Sequence, residues 1–560
     1  MSNKSTKRTG IVLFITLLTL FTIGFVYFYL KGEQPVWQED YHLYHLTLLR
    51  YAEVFEANPL AWLHQTLVAV YSEQKNPVIT FLLYPFYVLG GSSRLAYLLG
   101  IHLMYLIPTI LLVFLLVKYH LKEENKLSTP FLIFMGLTTS FYAPFWMTTI
   151  KGRPDIACLI PYIYIMYAFC KYKFEEKINP KILILCTLGL YLPFLLRRWC
   201  LISTFSILTG ILVTVLIRVF LEEKKLKVIL GKIKTLSLNL LWLGGGVLLF
   251  ALLIQKQLFL GIFDPSYHSL FNAYKFPMSL SIKLYIYTSG IITLIVCSIG
   301  AILSIKNKNT RYTSVFYLIN ILLYFYIFTR VQIICENHRL LIELWTLLLF
   351  IFGSFEIYKR IKNKSASNAF LIILSLYYLT NFSNIFFPKF EKFPLFSGVK
   401  WQQEYHPYFS EISRLTEDLK KLIKKDEDCK IATFSRSKAL CYEFLVGSDQ
   451  NRVYRKNIIP VPVMDLENKN ISPSSLLTDY VVVTDPVQIT FSEDISKIIT
   501  IPTEMIIKNK QIGKAYTRLP GKYQLGENIY AYIYKRERPL TKQELNSFDK
   551  LFLAPVQNQK

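Results

Sequence analysis

What most constrains this chain is a repetition of apolar runs close to the ~20 residues a helix needs to cross a bilayer. The backbone polar groups of such a run must be satisfied inside the segment itself, which a helix does. The runs fall at 10–30, 95–117, 130–149, 154–170, 182–196, 200–220, 236–262, 284–305, 312–329, 339–358 and 366–387. They predict an α-helical polytopic membrane protein of about eleven spans. A further apolar piece, 77–90, contains Pro85. It covers only about 21 Å at ~1.5 Å per residue, so an interfacial or re-entrant helix is expected there.

Composition agrees with that reading. The 560 residues are 53% hydrophobic and 15% aromatic, which excludes an ordinary soluble globular protein. The net charge of +25 does not form one patch. Its basic residues sit in short clusters between the apolar runs, so nucleic-acid binding is not indicated.

Those clusters set an expected topology. With the N-terminus inside, they fall on one side of the membrane: Lys4/Lys7/Arg8, Lys118/Lys122/Lys126, Lys171/Lys173/Lys177/Lys181, Arg218 through Lys234, Lys306/Lys308/Arg311 and Lys359/Arg360/Lys362/Lys364. If 77–90 crossed as well, every later cluster would flip outside, against the positive-inside rule. The first run is long and lacks a small-residue cleavage site near its end, so it reads as a span and not a cleaved signal peptide.

After Phe387 the chain becomes charged and mixed. The expected organisation is a multi-span domain over 1–389, with a first external loop at 31–93, and an extracytoplasmic α/β domain over 390–560. Strands are expected at Lys430–Phe434, Tyr480–Thr484 and Ile529–Tyr534, and a helix at Glu411–Lys425. Of the eight cysteines, Cys429 and Cys441 fall in this domain. No spacing rule decides between a disulfide and two thiols. Cys158, Cys170, Cys186, Cys200, Cys297 and Cys335 read as small packing residues of the spans.

The common soluble-enzyme motifs are absent: no P-loop, GxSxG elbow, HExxH or paired CxxC occurs. Gly244-Gly245-Gly246 lies inside a span, where helix packing is the expected role. His42 and His45 have an i,i+3 spacing that a metal accepts. No partner carboxylate is in register, so no metal or other cofactor is assigned.

The polar segment Trp37-Gln38-Glu39-Asp40-Tyr41-His42 follows the first span directly. Further charges stand at the outer ends of other spans: Lys75, Lys151, Arg153, Asp155, Arg197, Arg198, Asp264, Arg330, Glu336, His338 and Arg339. Snorkelling from a helix end accounts for an isolated Lys or Arg. Arg153-Pro154-Asp155 and His338-Arg339 open spans, where converging cations suit a phosphate and carboxylates suit base catalysis.

This order resembles the GT-C glycosyltransferases that use polyprenyl-phosphate sugars. It is nearest to the protein O-mannosyltransferases and the aminoarabinose transferase that modifies lipid A. Their acidic residues after span one are matched by Glu39-Asp40. Their basic residue before proline is matched by Lys75-Asn76-Pro77, their Arg-Pro with an acidic residue by Arg153-Pro154-Asp155, and the Arg of a late span loosely by His338-Arg339-Leu340-Leu341. Arg197-Arg198 stands where family members often have Thr-Lys, and the Tyr and Pro expected after Arg339 are missing.

The resemblance implies transfer of a sugar from a polyprenyl-phosphate donor to a hydroxyl of a lipid, glycan or protein, at the outer face of a bacterial plasma membrane. In that scheme Asp40 is the catalytic base, with Glu39 or Asp155 orienting the acceptor. Lys75, Arg153, Arg197, Arg198, His338 and Arg339 are the candidates for the donor phosphate. The bland reading of Glu39-Asp40 is a helix cap. Two other classes share the many-span layout. One is a secondary transporter or lipid flippase, against which no internal repeat or broken-helix pair is evident in the sequence. The other is a non-catalytic polysaccharide-assembly protein.

The topology makes a direct prediction. An impermeant thiol reagent on intact cells should label Asn470→Cys and spare Asn125→Cys; labelling of 125 alone would overturn it.

Overall fold

The structure, a computed structural model, describes residues 2–73, 75–121, 127–264, 271–388, 396–448, 456–465 and 472–552. The labelling positions 125 and 470, with Lys122 and Lys126, lie outside these. The chain divides into two compact units, one of residues 1–30 and 44–402 and one of residues 31–43 and 403–560. The polar segment after the first helix, Lys31–Leu43, therefore groups with the C-terminal unit.

The first unit is helical. Eight helices among the described residues are long and apolar enough to cross a membrane, or nine when one bent pair is counted. The expected spans at 154–170 and 182–196 are shorter than that. Their helices are Leu159–Lys171, of 13 residues, and Pro180–Leu196, of 17. Over 77–90 only two short helices form, Val78–Phe81 and Tyr84–Gly90. The second span runs from Arg94 to His120 with a π-helical turn at His102–Leu106. That turn precedes Pro108, whose missing N–H could not continue the regular ladder.

The expected span at 284–305 is broken. Helices Met278–Ser289 and Ile291–Lys306 meet at 98°. Gly290 makes the corner with φ +79°, and an added Cβ there would lie 2.7 Å from the Tyr377 hydroxyl. A broken-helix pair is thus present where the sequence showed only a continuous apolar run.

Helix Glu336–Arg360 is the core of this unit, with 94% of its apolar window buried. It packs most closely on Ile291–Lys306, at Gly300 and Gly353. A Cβ on Gly300 would stand 2.4 Å from the Gly353 Cα, so the two backbones touch. Of the three consecutive glycines, Gly246 alone is tightly packed, against Thr187. Outer helices carry apolar side chains into the surroundings, as Leu241, Trp242 and Leu253 do. Such a surface is unfavourable in water and natural in lipid.

The basic loops gather at one end of the unit. Arg218 pairs with Glu175, Asn307 donates to Glu356, Arg360 pairs with Glu356, and Ser128 bonds Tyr358. Glu336 starts the central helix, whose other end is Arg360, so the two are roughly 36 Å apart at ~1.5 Å per residue. The charges at 153–155, 197 and 336–339 thus belong to the end opposite the basic loops.

The second unit carries a mixed sheet. Its strands are β1 (Ile431–Phe434), β2 (Ile458–Ile459), β3 (Tyr480–Asp485), β4 (Tyr516–Arg518), β5 (Tyr523–Gln524) and β6 (Tyr530–Arg536). The order is β2-β1-β3-β6-β4, with β5 also on β6. β1 is parallel to β2 and β3, while β6 runs antiparallel to β3 with Val482 opposite Ile533. All of β1 and the middle of β3 are buried, the pattern of strands covered on both faces. Helix Phe409–Lys425 buries Ile412, Leu415, Leu419 and Ile423 at helical spacing. Cys429 and Cys441 are separate buried thiols, not a disulfide.

The glycine contact yields a stability prediction. Gly353→Val should destabilise the detergent-solubilised protein by about 1–3 kcal/mol through overpacking. Gly231→Val, with open space around its Cα within helix Leu226–Ile254, should be neutral or slightly stabilising, because glycine is the poorer helix former. Equal thermal unfolding shifts for the two variants would contradict the close packing.

Candidate functional site

The charges at the mouth of the membrane unit are arranged by one tight turn. After helix Ala143–Ile150 the chain reads Lys151-Gly152-Arg153-Pro154-Asp155, and a short 3₁₀ turn begins at Asp155. Gly152 has φ +87°, and a Cβ there would lie 2.5 Å from the Arg94 guanidinium. Only glycine meets both demands. Arg94 donates to the Lys151 carbonyl at 2.9 Å, and the Tyr97 hydroxyl donates to the Gly152 carbonyl at 2.7 Å. Held in this way, the turn aims Arg153 and Asp155 at two other segments.

Asp155 is fully buried. Its Oδ1 pairs with Arg197 Nε at 2.8 Å and accepts from Trp199 Nε1 at 3.1 Å and Asn337 Nδ2 at 3.4 Å. Arg197 also lies over the Tyr44 ring at 4.8 Å. Arg153 Nη1 pairs with Glu336 Oε1 and donates to Asn337 Oδ1 at 3.3 Å. Asn337 thus joins the two ion pairs, presenting its amide nitrogen to the carboxylate and its oxygen to the guanidinium.

Arg339 occupies the next part of the same helix. It is 5% exposed and acts electrostatically on Glu336 and Glu343, which lie one turn to either side. Neither comes within ion-pairing distance of it among the described residues. Glu336 is engaged by Arg153, and Glu343 accepts from Tyr142 at 2.5 Å and from Ser289 at 3.3 Å. The Arg339 Nε is buried with no hydrogen-bond partner. A guanidinium in this state is costly unless an anion joins it.

The structure therefore brings Arg153, Asp155, Arg197, His338 and Arg339 into one neighbourhood. His338 packs its ring on Phe328 at 4.7 Å and on Trp199 at 5.4 Å. Arg198 points elsewhere, over the Phe271 ring at 5.1 Å. Lys75 is exposed. Its neighbour Asn76 donates to the Leu195 carbonyl, tying that loop to the segment before Arg197. Trp199, Asn337 and Glu343 were not among the sequence candidates. A Glu near the start of the apolar run 339–358, well away from Glu356 near its end, is the available signal for Glu343.

Glu39 and Asp40 belong to the C-terminal unit. Glu39 is exposed with φ +41°, in the left-handed region that few non-glycine residues adopt. Its carbonyl accepts from His42 and Leu43 and so opens helix Asp40–Ala57, with half-buried Asp40 in the first turn. Glu39 thus stands just before the helix through its backbone, and strain at Glu39 is of the kind that gathers at functional sites. His42 stacks on Trp37 and His45 on Tyr97. Among the described residues no three His, Cys, Asp or Glu side chains are grouped for a metal.

Since Asp155 is the counter-ion of a buried arginine, Asp155→Asn should cost about 3–5 kcal/mol of stability. Arg198→Ala, at a half-buried arginine over a ring, should cost less, about 1–2 kcal/mol. Thermal unfolding in detergent measures both; a neutral Asp155→Asn would show that the pair does not hold the turn.

No known protein family and no curated protein matches this sequence, so the site stands on its own geometry.

Proposed function

We propose that this integral membrane protein is a glycosyltransferase of the GT-C type. It takes a sugar from a polyprenyl-phosphate donor and passes it to a hydroxyl of a lipid, glycan or protein. The observation that supports this reading most is Arg339, a buried guanidinium without an ion pair, beside Arg153 and Arg197. Arg153 and Arg197 are matched by Glu336 and Asp155, and Glu343 acts on Arg339 only at a distance, so Arg339 is the cation open to a lipid-borne phosphate.

The chemistry needs no nucleotide and no metal from the residues named here. A carboxylate, assigned to Asp40, takes the proton of the acceptor hydroxyl. The acceptor oxygen bonds to the anomeric carbon, and the bond from that carbon to the phosphate oxygen breaks with its electron pair on the phosphate. Arginines already in place offset that charge without reorganising, which is where electrostatic catalysis gains most. A single displacement inverts the anomeric centre. In this reading the N-terminus is cytoplasmic and the 403–560 unit extracytoplasmic. The shorter helices Leu159–Lys171 and Pro180–Leu196 complete about eleven crossings.

The broken pair at Gly290 favours a second reading, a transporter or flippase, because discontinuous helices build transporter sites. Catalysis separates the two. Purified protein should transfer radiolabelled sugar from a polyprenyl-phosphate sugar into a membrane acceptor. Arg339→Gln should weaken donor use by roughly 1.5–3 kcal/mol, the scale of a charge-assisted bond. Asp40→Asn, which keeps the helix start, should lower the rate by about 10²–10⁴-fold. Lipid-phosphate translocation without any sugar transfer would replace the transferase reading with the flippase.

A further inference from the structure

The C-terminal unit contains a pocket of about 610 Å³ that no step above uses. That volume lies within the ~300–1,000 Å³ of typical small-molecule sites. Tyr41, Tyr405, Tyr408 and Phe444 supply its aromatic lining, and Gln38, Glu404 and Lys438 its polar groups. Gln38 and Tyr41 are the residues on either side of Glu39-Asp40.

The walls are fixed before any ligand arrives. On one side, Gln34 N–H donates to the Glu404 carbonyl at 2.9 Å and His406 N–H to Gln34 Oε1 at 2.6 Å. Tyr408 N–H then donates to His406 Nδ1 at 3.1 Å, which orients that imidazole. Burial holds the His406 pKa below its ordinary value, so the ring is neutral at pH 7. On the other side, the loop carrying Lys438 is closed by the buried Arg436–Glu443 ion pair and by Ser435 Oγ donating to the Leu440 carbonyl. Tyr405, in contrast, is 70% exposed. A rigid pocket with an open aromatic ring at its edge is built for contact and not for packing.

We infer that this pocket binds a pyranose of a neutral glycan, the acceptor end of the transferase substrate. Tyrosine rings offer flat apolar faces to the C–H face of a sugar. Hydroxyls both donate and accept, and the wall serves both: the amide does each, the carboxylate accepts and the ammonium donates. Glu404 and Lys438 balance in charge, which gives no preference for an anion. The name "acceptor" rests on the transferase reading; the binding itself does not.

The test is saturation-transfer NMR on the detergent-solubilised full chain with a panel of neutral methyl pyranosides and disaccharides, without donor lipid. At least one sugar should receive saturation. Its affinity should fall tenfold or more in Tyr405→Ala and in Gln38→Ala, and persist in Tyr405→Phe. Lys510→Ala, elsewhere on the unit, should change nothing. No signal from any sugar, a signal indifferent to Tyr405 and Gln38, or saturation only of a tyrosine-containing peptide would overturn the inference. Sugar transfer with no pyranoside binding would strike the pocket alone; pyranoside binding with no transfer would strike the transferase reading alone.

Discussion

Charge inside a poor solvent must be compensated where it stands, and the end of the membrane unit opposite the basic loops is organised by that demand. A carboxylate or guanidinium buried among helices costs several kcal/mol unless its partners are held in place. Asp155 meets the demand with Arg197, Trp199 and Asn337, and Arg153 with Glu336 and the same Asn337. These contacts tie together three segments far apart in sequence: the 151–155 turn, the 197–199 segment and the start of the central helix. Remove the network and the helix ends have no reason to converge.

The same accounting makes Arg339 the exception that points outward. Its carboxylate neighbours are engaged by other groups, so its charge is compensated only at a distance. The helix that carries it is the most buried span of the unit and is locked by backbone contact at Gly300 and Gly353. A cation on so rigid a support cannot relax toward water as a snorkelling lysine does. A bound anion would lower its energy, which is why the proposed donor phosphate is assigned to it.

Much of this was legible in the sequence because the governing signals are local. Apolar runs located the helices, and turn composition located β1, β3 and β6 to within a few residues. The motifs Arg153-Pro154-Asp155 and His338-Arg339 stood out because charge interrupts apolarity there. What the sequence did not disclose depends on long-range placement. Gly290 sits in an unbroken apolar run, and only its left-handed backbone and the nearby Tyr377 make it a corner. Asn337 is an unremarked polar residue until it is found between two ion pairs. Asp155 reads in the sequence as an acceptor-orienting carboxylate; its full burial and its pairing with Arg197 depend on placement that no local pattern encodes. The grouping of Lys31–Leu43 with the C-terminal unit arises from backbone pairing of Gln34 with Glu404, which no local pattern encodes.

The most direct measurement is a cryo-electron-microscopy map of the protein with a polyprenyl-phosphate sugar bound. The account predicts phosphate density within hydrogen-bond distance of the Arg339 guanidinium, with the Asp155–Arg197 pair intact beside it. Phosphate density away from Arg339, or an Arg339 that stays unliganded when the donor is bound, would contradict it.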